Sequence, residues 1–140
     1  MAGEVRVVAM NAGRVRQIMR RDFIHAPPDE SLTSARQTMR LGRLRHLLVT
    51  RDEMLLGVLS YRDVLDWITS AEPGAYERAR VAEIMSSAPT CITPDATLLE
   101  AADRICRYRL GCLPVVNAEH RLVGVITEVD LLSAAYGLSH

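Results

Sequence analysis

An internal duplication limits the possible folds of this chain more than any other feature of its sequence. Shifting the 140-residue chain by 66 positions lays residues 14–49 over residues 80–115, with 12 identical pairs in 36. One extra residue in a later turn of the second copy moves the offset to 67, and residues 55–65 then match residues 122–132 at 5 of 11 positions. Self-similarity of this length indicates two copies of one supersecondary unit.

The two copies have clear sequence boundaries. We place the first copy at residues 10–69 and the second at residues 80–137, with a linker at residues 70–79 that contains Pro73 and Gly74. A unit of about 60 residues buries too little surface to cover both a sheet and its helices. The two copies are therefore expected to pack as a pair.

Both copies predict the same order of elements: helix, strand, helix, strand, strand, helix. The longer helix of the first copy has Leu32, Ala35 and Met39 at the spacing of one buried face, behind an N-cap residue at Ser31. In the second copy Thr97 is the N-cap, and Glu100 stands at capping-box spacing. The remaining predicted elements of the first copy are a short helix at 15–19, an extended piece at 23–26, strands at 46–50 and 54–60 and a closing helix at 61–69. The fold class is mixed α/β, of the α+β type.

The junctions between the last strand and the closing helix carry the most functional information. The first copy reads Gly57-Val-Leu-Ser60-Tyr-Arg-Asp63, and the second has a glycine, Thr127 and Asp130 at the same spacing. A hydroxyl at a helix start caps it, and free N–H groups there attract anions such as phosphate. An aspartate one turn later can accept hydrogen bonds from a ribose diol. Helix capping alone is the alternative, but the repetition at matching positions favours a binding site.

Zero formal net charge hides an uneven distribution of charge. All 17 basic residues are arginines, and residues 1–51 hold ten of them against four acids, whereas residues 52–140 hold seven against thirteen acids. An Arg-rich segment suits a phosphate-bearing ligand or an acidic partner, and a solvated helix face is the alternative. Arg36, Arg40 and Arg43 share one helix face, but few aromatic residues accompany them, which argues against nucleic acid and favours a solvated or dimer-contacting face.

Several classes of protein are not indicated by the sequence. No apolar run approaches the roughly 20 residues of a membrane span, and residues 1–10 lack a signal-peptide pattern. Three cysteines without C-x-x-C spacing favour reduced thiols and a cytoplasmic location. His25 and Cys91 occupy matching positions, but a metal site needs more ligands at fixed spacing. No nucleophile–base set or phosphate loop is present, so we expect no enzyme activity.

Across residues 14–136 the chain resembles a tandem pair of CBS domains, the cystathionine-beta-synthase-type or Bateman module. The resemblance depends on Val-x-x-Ile-Met at 15–19 and 81–85, Pro-Asp at 28–29 and 94–95, Leu-Pro-Val-Val at 113–116, and the two duplicated junctions. It implies a pseudo-twofold pair with a cleft between the copies that binds AMP, ADP, ATP, NAD or S-adenosylmethionine. It also implies that the junction aspartate holds the ribose, that the hydroxyl holds ribose or phosphate, and that pairs form homodimers.

The resemblance gives two unequal candidate nucleotide sites. Residues matching Arg45, His46 and Arg62 can reach the phosphate in the family, whereas the second copy has Gly111, Cys112 and Val129 there, which weakens phosphate binding. The Asp63 site is therefore expected to be the better one. By resemblance, its adenine wall comes from Thr90, Cys91 and Ile92, while the Asp130 site uses Ile24, His25 and Ala26.

These observations predict a non-catalytic regulatory module. The module binds an adenine nucleotide (AMP, ADP, ATP or NAD) as a signal rather than as a catalytic cofactor. We expect it to pass occupancy to an effector protein in trans. The alternative is a structural homodimerisation module with degenerate, unoccupied clefts.

Overall fold

The computed structural model describes residues 10–70 and 72–137, and in the first copy its helices and strands follow the predicted order. In the second copy the extended piece predicted at residues 90–93 makes only a single bridge, at Ile92, and a short strand at Ser86–Ser87 was not predicted. The helices are α1 (Val15–Ile18), α2 (Leu32–Gly42), α3 (Tyr61–Ser70), α4 (Ala75–Arg78), α5 (Val81–Ile84), α6 (Leu98–Tyr108) and α7 (Glu128–Tyr136). The strands are β1 (His25–Ala26), β2 (His46–Arg51), β3 (Met54–Ser60), β4 (Ser86–Ser87), β5 (Cys112–Val116) and β6 (Leu122–Thr127). The short helix α4 lies in the segment predicted as the linker.

Matching residues begin and end the two long helices. The hydroxyls of Ser31 and Thr97 each accept a hydrogen bond from the backbone N–H three residues later, at 3.2 and 3.0 Å. Arg43 and Arg109 end α2 and α6 in the left-handed conformation, with φ of 54° and 52°. The capping box predicted at Thr97 is only half formed, because Glu100 is exposed and its side chain makes no return bond within the described chain.

By contacts between residues, the chain divides into two compact units. Residues Ile24–Pro89 form one, which we call the Asp63 unit, and residues 10–23 with 90–137 form the other, the Asp130 unit. The predicted repeat boundaries follow the sequence, but the compact units cross them: each unit contains the short first helix of the other copy. The boundaries at 10–69 and 80–137 thus remain a prediction about the sequence repeat.

Buried valines and backbone hydrogen bonds hold these exchanged helices. Val15 of α1 is fully buried in the core of the Asp130 unit, and Val81 of α5 is fully buried in the core of the Asp63 unit. The Val15 N–H donates to the Ala96 carbonyl at 2.9 Å, and the Val81 N–H donates to the Glu30 carbonyl at 3.0 Å. The carbonyls of Pro94 and Pro28 accept the next N–H of each helix at 2.9 Å, so the Pro-Asp motifs form part of the two docking sites.

The sheet of the Asp63 unit has the order β1-β2-β3-β4. β1 pairs in parallel with β2, and the other two pairings are antiparallel. The Asp130 unit has an antiparallel β5–β6 pair, and single bridges extend it on both sides. Ile92 bridges Val115 in parallel, where the other unit has β1, and Arg20 bridges Val125 in antiparallel fashion, where the other unit has β4. The two units therefore share one pairing scheme.

Within the described residues, none of the helices is long and apolar enough to cross a membrane.

Candidate functional site

Both junction glycines lie against another stretch of backbone. An added Cβ at Gly57 would lie 2.6 Å from the Ser86 carbonyl oxygen and 2.7 Å from the Met85 sulfur. At Gly124 the same atom would lie 2.7 Å from the Met19 sulfur and 3.0 Å from the carbonyl oxygen of the residue after it. A glycine inside a strand is typical of such close approach. In both units the approaching segment is the residue pair that follows an exchanged helix.

The Asp63 junction brings together four of the predicted site residues. The Ser60 hydroxyl accepts a hydrogen bond from the Asp63 N–H at 3.0 Å, which caps α3. His46 pairs with Ser60 across the β2–β3 ladder, and the Tyr61 N–H donates to the Arg45 carbonyl at 2.8 Å. The strand ladder and the helix start thus place Arg45, His46, Ser60 and Asp63 at one end of the sheet.

The Asp63 carboxylate lies in a partly buried, polar setting. Its residue is half-buried, and the carboxylate makes no hydrogen bond or ion pair with residues 10–70 or 72–137. Arg45 and Arg62, which both precede it in the chain, are exposed. Burial lowers the pKa of His46; Asp63 opposes this shift and Arg45 adds to it. A neutral imidazole, an acceptor carboxylate and two guanidinium groups are therefore grouped at this junction.

The Asp130 junction has the same backbone but is closed. Asp130 is only 1% exposed, and its Oδ1 accepts a hydrogen bond from the Arg20 Nε at 3.0 Å. Its Oδ2 accepts from the Thr127 backbone N–H at 2.9 Å and from the Thr127 hydroxyl at 3.0 Å. The sequence correctly indicates a capped helix start with an aspartate one turn later. The duplicated motif itself does not indicate that both carboxylate oxygens already accept hydrogen bonds within the protein.

The second junction lacks the counterparts of Arg45, His46 and Arg62. Cys112 pairs with Thr127 as His46 pairs with Ser60, and burial raises the pKa of the Cys112 thiol to about 11. Gly111 and Val129, at the positions of Arg45 and Arg62, are exposed and uncharged. The two junctions therefore differ in charge as well as in access to their aspartates.

Residues 24–26 of the extended piece of the first copy belong to the Asp63 unit. Ile24 is 47% exposed, whereas the Ala26 side chain lies in the core. His25 lies between them, and its Nδ1 is 2.8 Å from the Thr50 hydroxyl in a hydrogen bond. The sequence assigned this piece to the Asp130 site, and that assignment remains a prediction.

The extended piece of the second copy belongs to the Asp130 unit. Thr90 and Cys91 are half-buried, and Ile92 is a core residue. The Cys91 carbonyl accepts a hydrogen bond from the Arg104 Nη1 at 2.6 Å. Burial raises the pKa of the Cys91 thiol, and Arg104 partly opposes that shift. The assignment of this piece to the Asp63 site also remains a prediction.

Sequence reasoning missed Arg20 altogether. Arg20 is one of ten arginines in the first part of the chain, and no motif includes it. A usable signal was its position directly after Met19, where the second copy has Ser86 after the matching Met85. The difference between Arg20 and Ser86 at matching positions is therefore the sequence feature that distinguishes the two junctions.

Two other candidate features have local structural explanations. Arg36, predicted to share an arginine face, lies beside tyrosine hydroxyls, and hydrogen bonding to Tyr76 and then to Tyr61 raises its pKa. Its guanidinium thus takes part in packing within the Asp63 unit.

In the part of the chain that the structure describes, no three His, Cys, Asp or Glu side chains are grouped to hold a metal ion.

Comparison with known proteins identifies the family. The model of the CBS domain matches residues 15–70 and 81–137, so the chain belongs to the CBS domain family and contains two tandem CBS domains. This confirms the resemblance and the mixed α/β fold class inferred from the sequence.

Three known proteins illustrate the likeness. Inosine-5'-monophosphate dehydrogenase of Korarchaeum cryptofilum (strain OPF8) is 32% identical over 84% of this chain, but the match spans only 23% of that enzyme. The crystal structure of CBSX2 in complex with AMP has a TM-score of 0.81 at 23% identity and covers 90% of this chain and 98% of that one. The CBS domain of the bacterial CNNM/CorC family Mg²⁺ transporter in complex with ATP has a TM-score of 0.84 at 18% identity, covering 97% and 96%.

Proposed function

We propose that the chain is a non-catalytic regulatory module that binds an adenosine-containing nucleotide at the Asp63 junction. The observation that carries the proposal is the half-buried Asp63 carboxylate, which has no hydrogen-bond or ion-pair partner among the described residues. A carboxylate without a hydrogen-bond partner keeps its acceptor positions open, and a diol that donates two hydrogen bonds would fill them. In the proposed site, Asp63 accepts the ribose hydroxyls and Ser60 bonds the ribose or the phosphate.

The neighbouring guanidinium groups favour a ligand with phosphate. Arg45 and Arg62 are exposed, and arginine's planar fork suits bidentate contacts to phosphate oxygens. His46 adds a neutral donor or acceptor beside them, because burial lowers its pKa. We therefore expect AMP, ADP, ATP or NAD to bind more tightly than adenosine. Membership of the CBS domain family and the similar structures solved with AMP and with ATP support an adenine nucleotide as the ligand.

The signal is proposed to pass to a partner. A ligand shifts a conformational equilibrium only by binding one arrangement more tightly than the other. Because the chain spans 23% of the dehydrogenase it matches, the effector is expected to be a further domain or a separate protein.

Three free cysteines, Cys91, Cys106 and Cys112, support a cytoplasmic location for this module.

A homodimer is the second proposal, and the closing helices favour it. Leu65 and Ile68 on α3 are 42% and 37% exposed, and Leu132 on α7 is 55% exposed. Contiguous exposed apolar patches are typical of contact surfaces, and Leu65 and Ile68 lie three residues apart on one face of α3. If dimerisation is the whole function, the chain will sediment as a dimer and bind no adenine nucleotide.

Calorimetric titration with AMP and adenosine tests the nucleotide site. Asp63→Ala should weaken both ligands by about 1–3 kcal/mol, the scale of a lost hydrogen bond to a charged group. Arg62→Ala should weaken AMP but leave adenosine unchanged. Asp66→Ala, an exposed acid on the same helix, is the matched control and should bind like the wild type. Wild-type affinity for AMP in both the Asp63 and Arg62 variants would contradict the assignment.

A further inference from the structure

The Arg20–Asp130 ion pair occupies the position that a ligand would need. Asp130 is 1% exposed, and the Arg20 side chain, which is 51% exposed, approaches it with Nε 3.0 Å from Oδ1. Thr127 supplies both donors to the other carboxylate oxygen. An incoming diol would therefore have to displace a guanidinium from a buried carboxylate. A diol would also donate to the carboxylate, but it carries no positive charge, so displacing the guanidinium would leave a buried carboxylate without its counter-ion.

The backbone fixes Arg20 in this position. Its N–H donates to the Val125 carbonyl at 2.8 Å, and the Val125 N–H returns a bond to the Arg20 carbonyl at 3.0 Å. Val125 lies five residues before Asp130, and Gly124 beside it leaves room for the approaching chain. The side chain therefore starts from a defined point on the edge of β6, close to the helix that carries Asp130.

The other unit has the same backbone arrangement with a different side chain. Ser86 pairs with Val58 on the edge of β3, and Val58 lies five residues before Asp63. Gly57 again allows the close approach. A serine hydroxyl is too short to span the distance that a guanidinium spans, and Asp63 has no hydrogen-bond or ion-pair partner among the described residues. One side chain at one pairing position thus separates a closed junction from an open one.

We propose that Arg20 is a built-in occupant of the Asp130 junction, so that each chain binds one adenosine ligand, at Asp63 alone. The residue paired with the edge strand, Arg20 or Ser86, determines whether a junction accepts a ligand. This inference rests on the proposed function, since it takes the junction aspartate as the ribose acceptor. It goes further by assigning the difference in occupancy to a residue outside the duplicated motif.

Exchange of the two residues tests the inference by the number of adenosine molecules bound per chain in calorimetry. The wild type should bind one, Arg20→Ser two, and Ser86→Arg none. The double variant Arg20→Ser/Ser86→Arg should again bind one adenosine, and adding Asp130→Ala to it should abolish that binding. Adenosine is the probe because the Asp130 junction has no arginine at the positions of Arg45 and Arg62. Arg16→Ser, which removes an exposed arginine paired with the exposed Asp95, is the control and should keep one site.

The outcomes separate this inference from the proposed function. If the wild type binds one adenosine that Asp63→Ala removes, but Arg20→Ser gains no second site, the inference is wrong and the function stands. If the wild type binds neither adenosine nor AMP, the proposed nucleotide site is wrong, and adenosine binding by Arg20→Ser still decides whether Asp130 was closed. Should Arg20→Ser fail to fold, the reciprocal Ser86→Arg variant decides: a folded protein that retains its adenosine site overturns the inference.

Discussion

Replacement of the two junction glycines by alanine should have unequal effects on stability. At Gly57 the new Cβ would lie 2.6 Å from the Ser86 carbonyl oxygen, which the β3–β4 pairing holds in place. Backbone must then shift, so we expect a loss near the upper end of the 1–3 kcal/mol range for overpacking, about 3 kcal/mol. Alanine also restricts the unfolded chain more than glycine does, which offsets about 0.4–1 kcal/mol of this loss. The net loss in the free energy of unfolding is therefore about 2 kcal/mol.

At Gly124 the closest atom is a flexible one. The Met19 sulfur, at 2.7 Å, can rotate away, and the Arg20 carbonyl oxygen, at 3.0 Å, needs to move only slightly. We expect a loss of about 1 kcal/mol, which the effect on the unfolded chain nearly cancels. Urea unfolding of the wild type and both variants, followed by circular dichroism, measures the difference. Equal losses, or a larger loss for Gly124→Ala, would refute the reasoning from backbone contact.

Three further predictions concern packing and titration. Val15→Ala should remove about 2 kcal/mol of local stability and reduce amide-exchange protection in the Asp130 unit. Val81→Ala should have the same effect in the Asp63 unit. Loss of protection in the opposite unit would contradict the exchange of first helices. Burial lowers the pKa of His46, so on acidification this histidine is protonated in the unfolded state before it is protonated in the folded state. The free energy of unfolding should therefore fall as the pH drops below 6.5. His46→Gln should flatten this part of the pH profile, measured as urea midpoints. With a pKa of about 11, Cys112 should react with iodoacetamide at pH 8 well after the exposed Cys106, as mapped by mass spectrometry; equal rates would contradict the burial of its thiol.

Local patterns in the sequence were sufficient to predict most helices and strands. The hydroxyl of Ser31 and the spacing of Leu32 and Met39 mark the start and the buried face of α2, and both are properties of consecutive residues. The helix cap at the Asp63 junction could also be predicted from the sequence, because Ser60 and Asp63 lie within one helical turn of each other. Duplication made these signals stronger, since every local inference could be checked at a second position.

Contacts between distant parts of the chain could not be predicted in the same way. Val15 and Val81 stand at matching positions with matching neighbours, so periodicity cannot indicate which sheet each one covers. Arg20 and Asp130 are 110 residues apart, and the pairing depends on a backbone bridge that no local pattern encodes. The closed state of the Asp130 junction therefore emerged only from the three-dimensional arrangement.

A crystal structure of the protein grown with saturating AMP would show which junction holds the ligand. We expect one AMP per chain, with both ribose hydroxyls on the Asp63 carboxylate and the phosphate beside Arg45 or Arg62. We also expect the Arg20–Asp130 ion pair to remain intact in the complex. Ribose density on Asp130 with Arg20 displaced, or AMP bound away from Asp63, would contradict this expectation.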